Sequence, residues 1–136
     1  MRISTKNSEI EIKELLEDLF VSLNSKDSNN IRVLFHPSAI FANIGNSNEL
    51  FLRSLDEYLE TTIEAIKKYN IEVKNELEEI THMNIIDGIV ASVEFKYTMF
   101  MPESKGSHTG LIHLVNENNK WLFLNWTDRG LEIQDK

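Results

Sequence analysis

The 136-residue sequence contains no cysteine, only 2 prolines and 5 glycines, and no concentrated run of lysine and arginine. Without cysteine there is no disulfide, no thiolate nucleophile and no thiolate metal site. A reducing cytoplasm suits such a chain, and a cytoplasmic location is expected. Scarce glycine leaves no Gly-rich loop to cradle phosphates, so the usual signature of nucleotide binding is missing. The formal net charge is -8, with the acidic residues dispersed and no basic face. Nucleic acid and anionic lipid both need a concentrated positive footprint, so neither is an expected partner. No stretch approaches the ~20 apolar residues of a membrane span, and the opening MRISTKNSEIEIKEL holds no apolar signal core. No two histidines, nor a histidine and a carboxylate, stand at metal-ligand spacing, so no metal and no other cofactor is expected.

What is present is apolar surface: 41% of the residues are hydrophobic, enough for one core, and a single domain over 1–136 is expected. Ser8 and Glu11 stand at capping-box spacing ahead of an apolar stripe of Ile12, Leu15, Leu16, Leu19, Phe20 and Leu23, which predicts a first helix. Ser28 predicts the cap of a short second helix carrying Ile31, Leu34 and Phe35. That helix should end near His36, because Pro37 pushes its predecessor out of the α region. Ala39 to Ile44 reads as a strand, turned by Gly45-Asn46-Ser47-Asn48 into a brief partner, Glu49 to Leu52. Ser54 and Glu57 form a second capping box, and Leu55, Tyr58, Leu59, Ile63 and Ile66 mark a third helix ending near Asn70.

Strands follow. Between Ile71 and Met83 the alternation slips phase, with Ile71, Val73 and Leu77 on one parity and Ile80 on the other, which predicts a β-bulge or bend. Glu76, Glu78 and Glu79 read as a solvated edge. Asp87-Gly88 predicts a tight hairpin. Beyond it Ile89, Ala91, Val93, Phe95, Tyr97, Met99 and Met101 share one face, while Ser92, Glu94, Lys96 and Thr98 share a wet one. The last pair of strands, from His108 to Arg129 with a turn at Asn116-Glu117-Asn118-Asn119, is apolar on both faces. Leu111, His113 and Val115 alternate with Ile112 and Leu114, and Trp121 and Phe123 alternate with Leu122, Leu124 and Trp126. A hairpin with no wet face needs cover on both sides. Left open, one face would be a large apolar patch that soluble monomers rarely tolerate, and a two-fold contact covers it economically. A homodimer through the outer face of the C-terminal strands is therefore expected, and a charge at Leu114 or Leu124, whichever faces out, should break it.

The order helix, short helix, small hairpin, helix, four-strand meander predicts an α+β fold with three N-terminal helices packed on the concave face of a curved antiparallel sheet. The segments FHPSAIFANIG, IIDGIVASVEFKY and HTGLIHLVNENNKWLFLNW resemble the nuclear transport factor 2-like superfamily, in particular its SnoaL-like and putative lumazine-binding-like branch. The likeness runs over nearly the whole chain. It is most specific at His113-Leu114 followed after the turn by Lys120-Trp121. What the resemblance implies is a cone, a cystatin-like roll, with an apolar pocket under the helices and dimerisation through the outer sheet face. Two positions depart from it: Ser38 and Gly110 stand where relatives often carry Asp.

Catalysis in such a pocket needs an imidazole or carboxylate tuned by burial and a donor for developing negative charge. His113, mid-strand among apolar neighbours, is the first candidate base, and His36 at the helix-strand corner the second; each has an alternative reading as a locally satisfied structural histidine. Tyr97 and Tyr58 are candidate phenolic donors, though a buried Tyr more often simply packs its ring and finds one hydrogen-bond partner. Phe20, Phe41, Phe95, Met99 and Trp126 suit a flat apolar ligand or simply the core, and Asn125 is a polar break that would contact a ligand or a nearby loop. Inward ionisable groups look scarce. Three readings stay open: a homodimeric binder of a small apolar or aromatic molecule, an acid-base enzyme of isomerase, dehydratase or cyclase type using a pocket His and Tyr, and an adaptor domain whose pocket is filled.

Overall fold

The computed structural model describes residues 5–45 and 47–135, so Asn46 of the anticipated turn lies outside the described residues. Helix α1 spans Thr5–Ser25, α2 Ser28–Arg32, α3 Leu55–Tyr58 and α4 Ala65–Lys68. A π-helical turn, Leu59–Glu64, joins α3 to α4, so these three pieces form the single third helix anticipated from the sequence. The strands are β1 Phe35–Ile44, β2 Leu50–Ser54, β3 Lys74–Ile86, β4 Val90–Phe100, β5 Ser104–Glu117 and β6 Lys120–Asp135. They make one six-stranded sheet in the order β2-β1-β6-β5-β4-β3. The fold is α+β, with the helices on one side of the curved sheet. β1 runs parallel to β6, so the sheet is mixed rather than wholly antiparallel; the meander from β3 to β6 is antiparallel as expected.

Local signals account for most of these elements. The α1 stripe of Ile12, Leu16, Leu19, Phe20 and Leu23 is buried against the sheet. At Ser54 the capping box is complete: its side chain accepts the Glu57 N–H at 3.2 Å and Glu57 Oε1 accepts the Ser54 N–H at 3.0 Å. Asp87 and Gly88 both take positive φ, 54° and 69°, in a tight turn closed by the Ile89 N–H on Ile86 O at 3.0 Å, with Ile86 paired to Val90 across it. The phase slip read in β3 is real, with register shifts between Leu77 and Glu79 and between Ile80 and His82.

Three local expectations fail for tertiary reasons. Helix α1 starts before Ser8, which lies inside it, fully buried with no partner for its Oγ, so the anticipated first capping box does not form. The cap of α2 is Asp27, whose side chain accepts the Asn30 N–H at 3.1 Å, while Ser28 instead bonds Glu64. That helix also stops at Arg32, short of Leu34 and Phe35. The Phe123 N–H bonds Leu34 O at 3.0 Å and Phe35 pairs with Phe123, so docking on β6 draws this stretch into β1. Pro37 then sits where the β1–β6 register shifts between Phe35 and Ile40, a bulge that needs no N–H from it.

The same pairing decides which way the last hairpin faces. On β5, Ile112 and Leu114 are buried and Leu111 and His113 are exposed. On β6, Trp121 and Phe123 point inward, and a register shift beside Leu124 then reverses the parity, so Trp126, Asp128 and Gly130 point inward as well. Trp126 therefore shares a face with Trp121 and Phe123 rather than opposing them. Gly110, opposite both Phe95 and Asp128, leaves its space to the Phe95 ring: a Cβ there would stand 2.3 Å from Phe95 Cζ. Phe95 is fully buried with Phe20 and Trp126 rings about it, so it has no room to retreat. Gly110→Ala is expected to destabilise the fold by about 1–3 kcal/mol through overpacking, seen as a lower denaturant midpoint at unchanged slope; an unaltered midpoint would refute this account of the glycine.

Candidate functional site

Four neighbouring strands, β1, β6, β5 and β4, bring their inward positions together at one end of the concave face. Across the sheet Asn43, Asp128, Gly110 and Phe95 form one row, and Gly130, His108 and Tyr97 form the next. Asp128 is 7% exposed, a depth at which a carboxylate must be given donors. It has three. Its Oδ2 accepts from the Tyr97 hydroxyl and from Trp126 Nε1 at 3.1 Å, and its Oδ1 lies 2.7 Å from His108 Nδ1. Indole N–H can only donate, and Oδ2 accepts twice, so Asp128 stands here as an acceptor. Nδ1 of His108 is then the donor in its contact with Oδ1. The His108 ring stacks on Tyr97 at 4.8 Å and 18°, as directly opposed residues allow, and Gly130 gives it room, since a Cβ there would lie 3.2 Å from its Cε1.

Over this dyad lies a cavity of about 110 Å³. Its roof is the third helix, from which Tyr58 and, within the π turn, Thr62 reach toward the sheet; such turns often occur at functional sites. Tyr58 stacks on Phe41 at 4.0 Å and 3°, and Trp126 and Met99 complete the apolar wall. Asn43 and Arg53 line the end nearer the β1–β2 edge. A second space of about 50 Å³ shares Tyr58, Tyr97, Met99 and Trp126 with the first. The groove between α1 and β3, about 840 Å³, is larger but open and lined by Glu9, Lys13, Glu17, Glu78 and Glu79, with nothing buried converging on it. Burial, and after it the charge of Asp128, pushes the Tyr58 phenol well above its ordinary range, with Arg53 opposing. Tyr97 moves the same way, first through burial, then through the charge of Asp128 and the bond to it. Both are held as protonated phenols, Tyr97 spent on Asp128 and Tyr58 still a donor to a ligand.

Of the residues singled out from the sequence, the structure brings Phe41, Tyr58, Tyr97, Met99 and Trp126 to the cavity. Phe20 and Phe95 lie beneath in the core, edge-on or inclined to Tyr97 and Trp126. His113 does not enter: it is exposed on the outer face, its Nδ1 3.1 Å from Asn125 Oδ1, and Asn125, opposite it, faces outward too. His36 is also elsewhere, its Nδ1 accepting the Ser38 N–H at 3.1 Å across the bulge in β1. The expected scarcity of inward ionisable groups gives way to Asp128, His108 and Arg53. Sequence reasoning missed Asp128 because one bulge reverses the parity of β6, and it missed His108 and Arg53 because only the pairing of β5 with β6 and of β2 with β1 brings them to the site. A signal was present in Trp126-Thr127-Asp128, where alternation from an inward Trp makes Asp128 inward. Among the described residues no group of three His, Asp or Glu side chains gathers to hold a metal, and no helix is long and apolar enough to cross a membrane.

A curved sheet closed by helices over a small pocket is the architecture of nuclear transport factor 2-like proteins, and solved structures of that class superpose along the chain. A scytalone dehydratase, so named with the qualifier putative, from Novosphingobium aromaticivorans matches with a TM-score of 0.78 at 14% identity, over 97% of this chain and 92% of that one. An NTF2-like protein of unknown function from Shewanella baltica matches at 0.71 and 16%, over 94% and 97%. The hexachlorocyclohexane dehydrochlorinase LinA-type3 of Novosphingobium barchaimii matches at 0.75 and 6%, over 96% and 90%. Within the superfamily the chain belongs to the family described as putative lumazine-binding, whose pattern matches residues 7–127. That match holds His108 and ends one residue before Asp128. No curated protein matches it in sequence.

The phenols yield a test. Their raised folded values mean that the unfolded chain releases these protons first as pH climbs, so the stability they contribute is complete below the unfolded value of about 10 and is lost above it. In a Tyr69→Phe background, tyrosinate absorbance should rise only together with loss of the circular-dichroism signal. Ionisation ahead of unfolding would contradict the burial of Tyr58 and Tyr97.

Proposed function

We propose that this protein binds a small carbonyl compound in the cone pocket and moves a proton on it, with His108 as the base. The observation that carries the reading is the His108–Asp128 pair beside a cavity of about 110 Å³ roofed by an uncommitted phenol. A cavity of about 150 Å³ holds benzene, so the ligand is a single small ring or a short chain. In the step envisaged, Nε2 of His108 takes a proton from the carbon beside the carbonyl. The resulting imidazolium keeps its Nδ1–H on Asp128, whose charge offsets the new one, and Tyr58 donates to the enolate oxygen. Nε2 then returns a proton to carbon, a deuteron when the imidazolium has first exchanged with deuterated solvent. Two proteins of this fold are named for eliminations, which also begin with a base, but at 14% and 6% identity they speak for the fold alone.

Binding without turnover is the second reading. It is favoured by the three donors that already satisfy Asp128 and make the dyad a fixed polar end of the pocket. Cyclopentanone in deuterated water separates the two. Chemical-shift changes at the pocket with accelerated exchange of its α-protons, falling about 100-fold or more in His108→Asn, support the base; binding without accelerated exchange selects the second reading. No binding overturns both.

We further propose that the working unit is a homodimer joined through the outer sheet face. Leu111 at 39% and Ile40 at 46% exposure stand there with Val115 and Leu122 on neighbouring strands. The structure turns Leu114 into the core, so a charge at that position would unfold the chain rather than dissociate it. Sedimentation is expected to give a dimer at micromolar concentration and a folded monomer for Leu111→Glu. A monomeric parent protein would remove the proposal.

A further inference from the structure

We infer that the ligand of this pocket carries an anionic group, a carboxylate in the simplest case, and that Arg53 is the residue that receives it. The inference rests on the pocket being the ligand site, and it narrows the class of ligand from carbonyl compounds at large to small oxo acids. Arg53 lies on β2 opposite Phe41, so its side chain shares the concave side with the ring on which Tyr58 stacks, and it is the cavity's one arginine or lysine.

Carboxylates outnumber lysine and arginine 22 to 14, yet among the described residues Arg53, like Arg129, is paired with none, and Arg129 is instead taken up by Gly45 O and Asn48 Oδ1. Among the described residues the ion pairs use Arg32, Lys74 and His108, and none uses Arg53. Asp128, the carboxylate of the same cavity, is already taken by its own three donors. Glu57, which feels the charge of Arg53, holds its Oε1 on the Ser54 N–H at 3.0 Å. What Arg53 does touch is aromatic: its Cζ lies 5.9 Å from the centre of the Phe51 ring, a contact that leaves the planar donors free. Asn43, inward and opposite Asp128 on the neighbouring strand, adds an amide to the same end.

The pocket is therefore polar at two ends and apolar between. Arg53 on β2 and His108 on β5 are three strands apart, roughly 14 Å at ~4.8 Å per strand, and both side chains lean inward from those positions. Tyr58 between them feels Asp128 and Arg53 with opposite sign. A ligand lying across Tyr58 and Trp126 meets a guanidinium at one end and an imidazole base at the other. Guanidinium and carboxylate match in geometry as well as charge, and the partly sheltered site strengthens the pair.

The test compares 3-oxocyclopentane-1-carboxylate with its isosteric neutral carboxamide, both titrated by NMR against the intact protein. The carboxylate is expected to bind about tenfold or more tightly than the amide, as a charge-assisted bond implies, and that preference should shrink as salt is raised. In Arg53→Gln the ratio of the two affinities should fall toward one, while Arg53→Lys should retain part of it; circular dichroism checks that both variants are folded. Equal binding of the two compounds by the parent protein overturns the anion inference and leaves the pocket reading standing. A preference that survives in Arg53→Gln removes Arg53 as its source. If neither compound binds, the pocket reading and this inference fall together.

Discussion

A carboxylate removed from water needs hydrogen-bond donors on every side it presents, and Asp128 meets that demand from three strands at once. Tyr97 on β4, His108 on β5 and Trp126 on β6 each supply one. The arrangement pins the register of the strands that carry the site, because a slip of one residue would turn each donor to the other face. It also joins stability to chemistry. The rings that satisfy the carboxylate are the rings of the core, with Phe20, Phe95, Tyr97 and Trp126 in mutual contact. Removing Asp128 alone would strand an indole N–H and a phenol in that core, which costs more than the bonds contribute when made.

One irregularity aims the side chains at the polar end of the pocket. Leu124, the extra residue in β6, changes which residues face inward, and so delivers Trp126 and Asp128 to the side already held by Trp121 and Phe123. Regular alternation would have placed Asp128 in solvent. In the roof, helical spacing suffices: Tyr58 and Thr62, four residues apart, reach the cavity while Leu55, Leu59 and Ile63 stay buried against the sheet.

How much was legible follows from how far each signal reaches along the chain. The α1 stripe, the Ser54–Glu57 box, the Asp87-Gly88 turn and the phase slip in β3 depend on residues a few positions apart, and all were readable. The Phe41, Tyr58, Tyr97, Met99 and Trp126 cluster was also readable, since aromatic and sulfur side chains on apolar faces converge wherever a sheet curves. His113 and Asn125 were placed wrongly because their neighbours are apolar on both parities, so local composition held no information about which face was wet. His108 went unweighted because its partner is 20 residues away and meets it only through pairing of β5 with β6.

The sequence by itself determined the class of fold, the single core, the absence of disulfide and thiolate chemistry, and the aromatic character of the pocket, because these depend on composition and on periodicities within one element. The tertiary structure alone decided that β1 joins β6 in parallel, that the second helix yields its end to a strand, and that His108 and Asp128 meet over a cavity while His113 faces outward. The reason is physical. Pairing of distant strands sets register, register sets facing, and in a hairpin apolar on both sides only the competition between buried contacts across the whole sheet chooses which side Asp128 must enter.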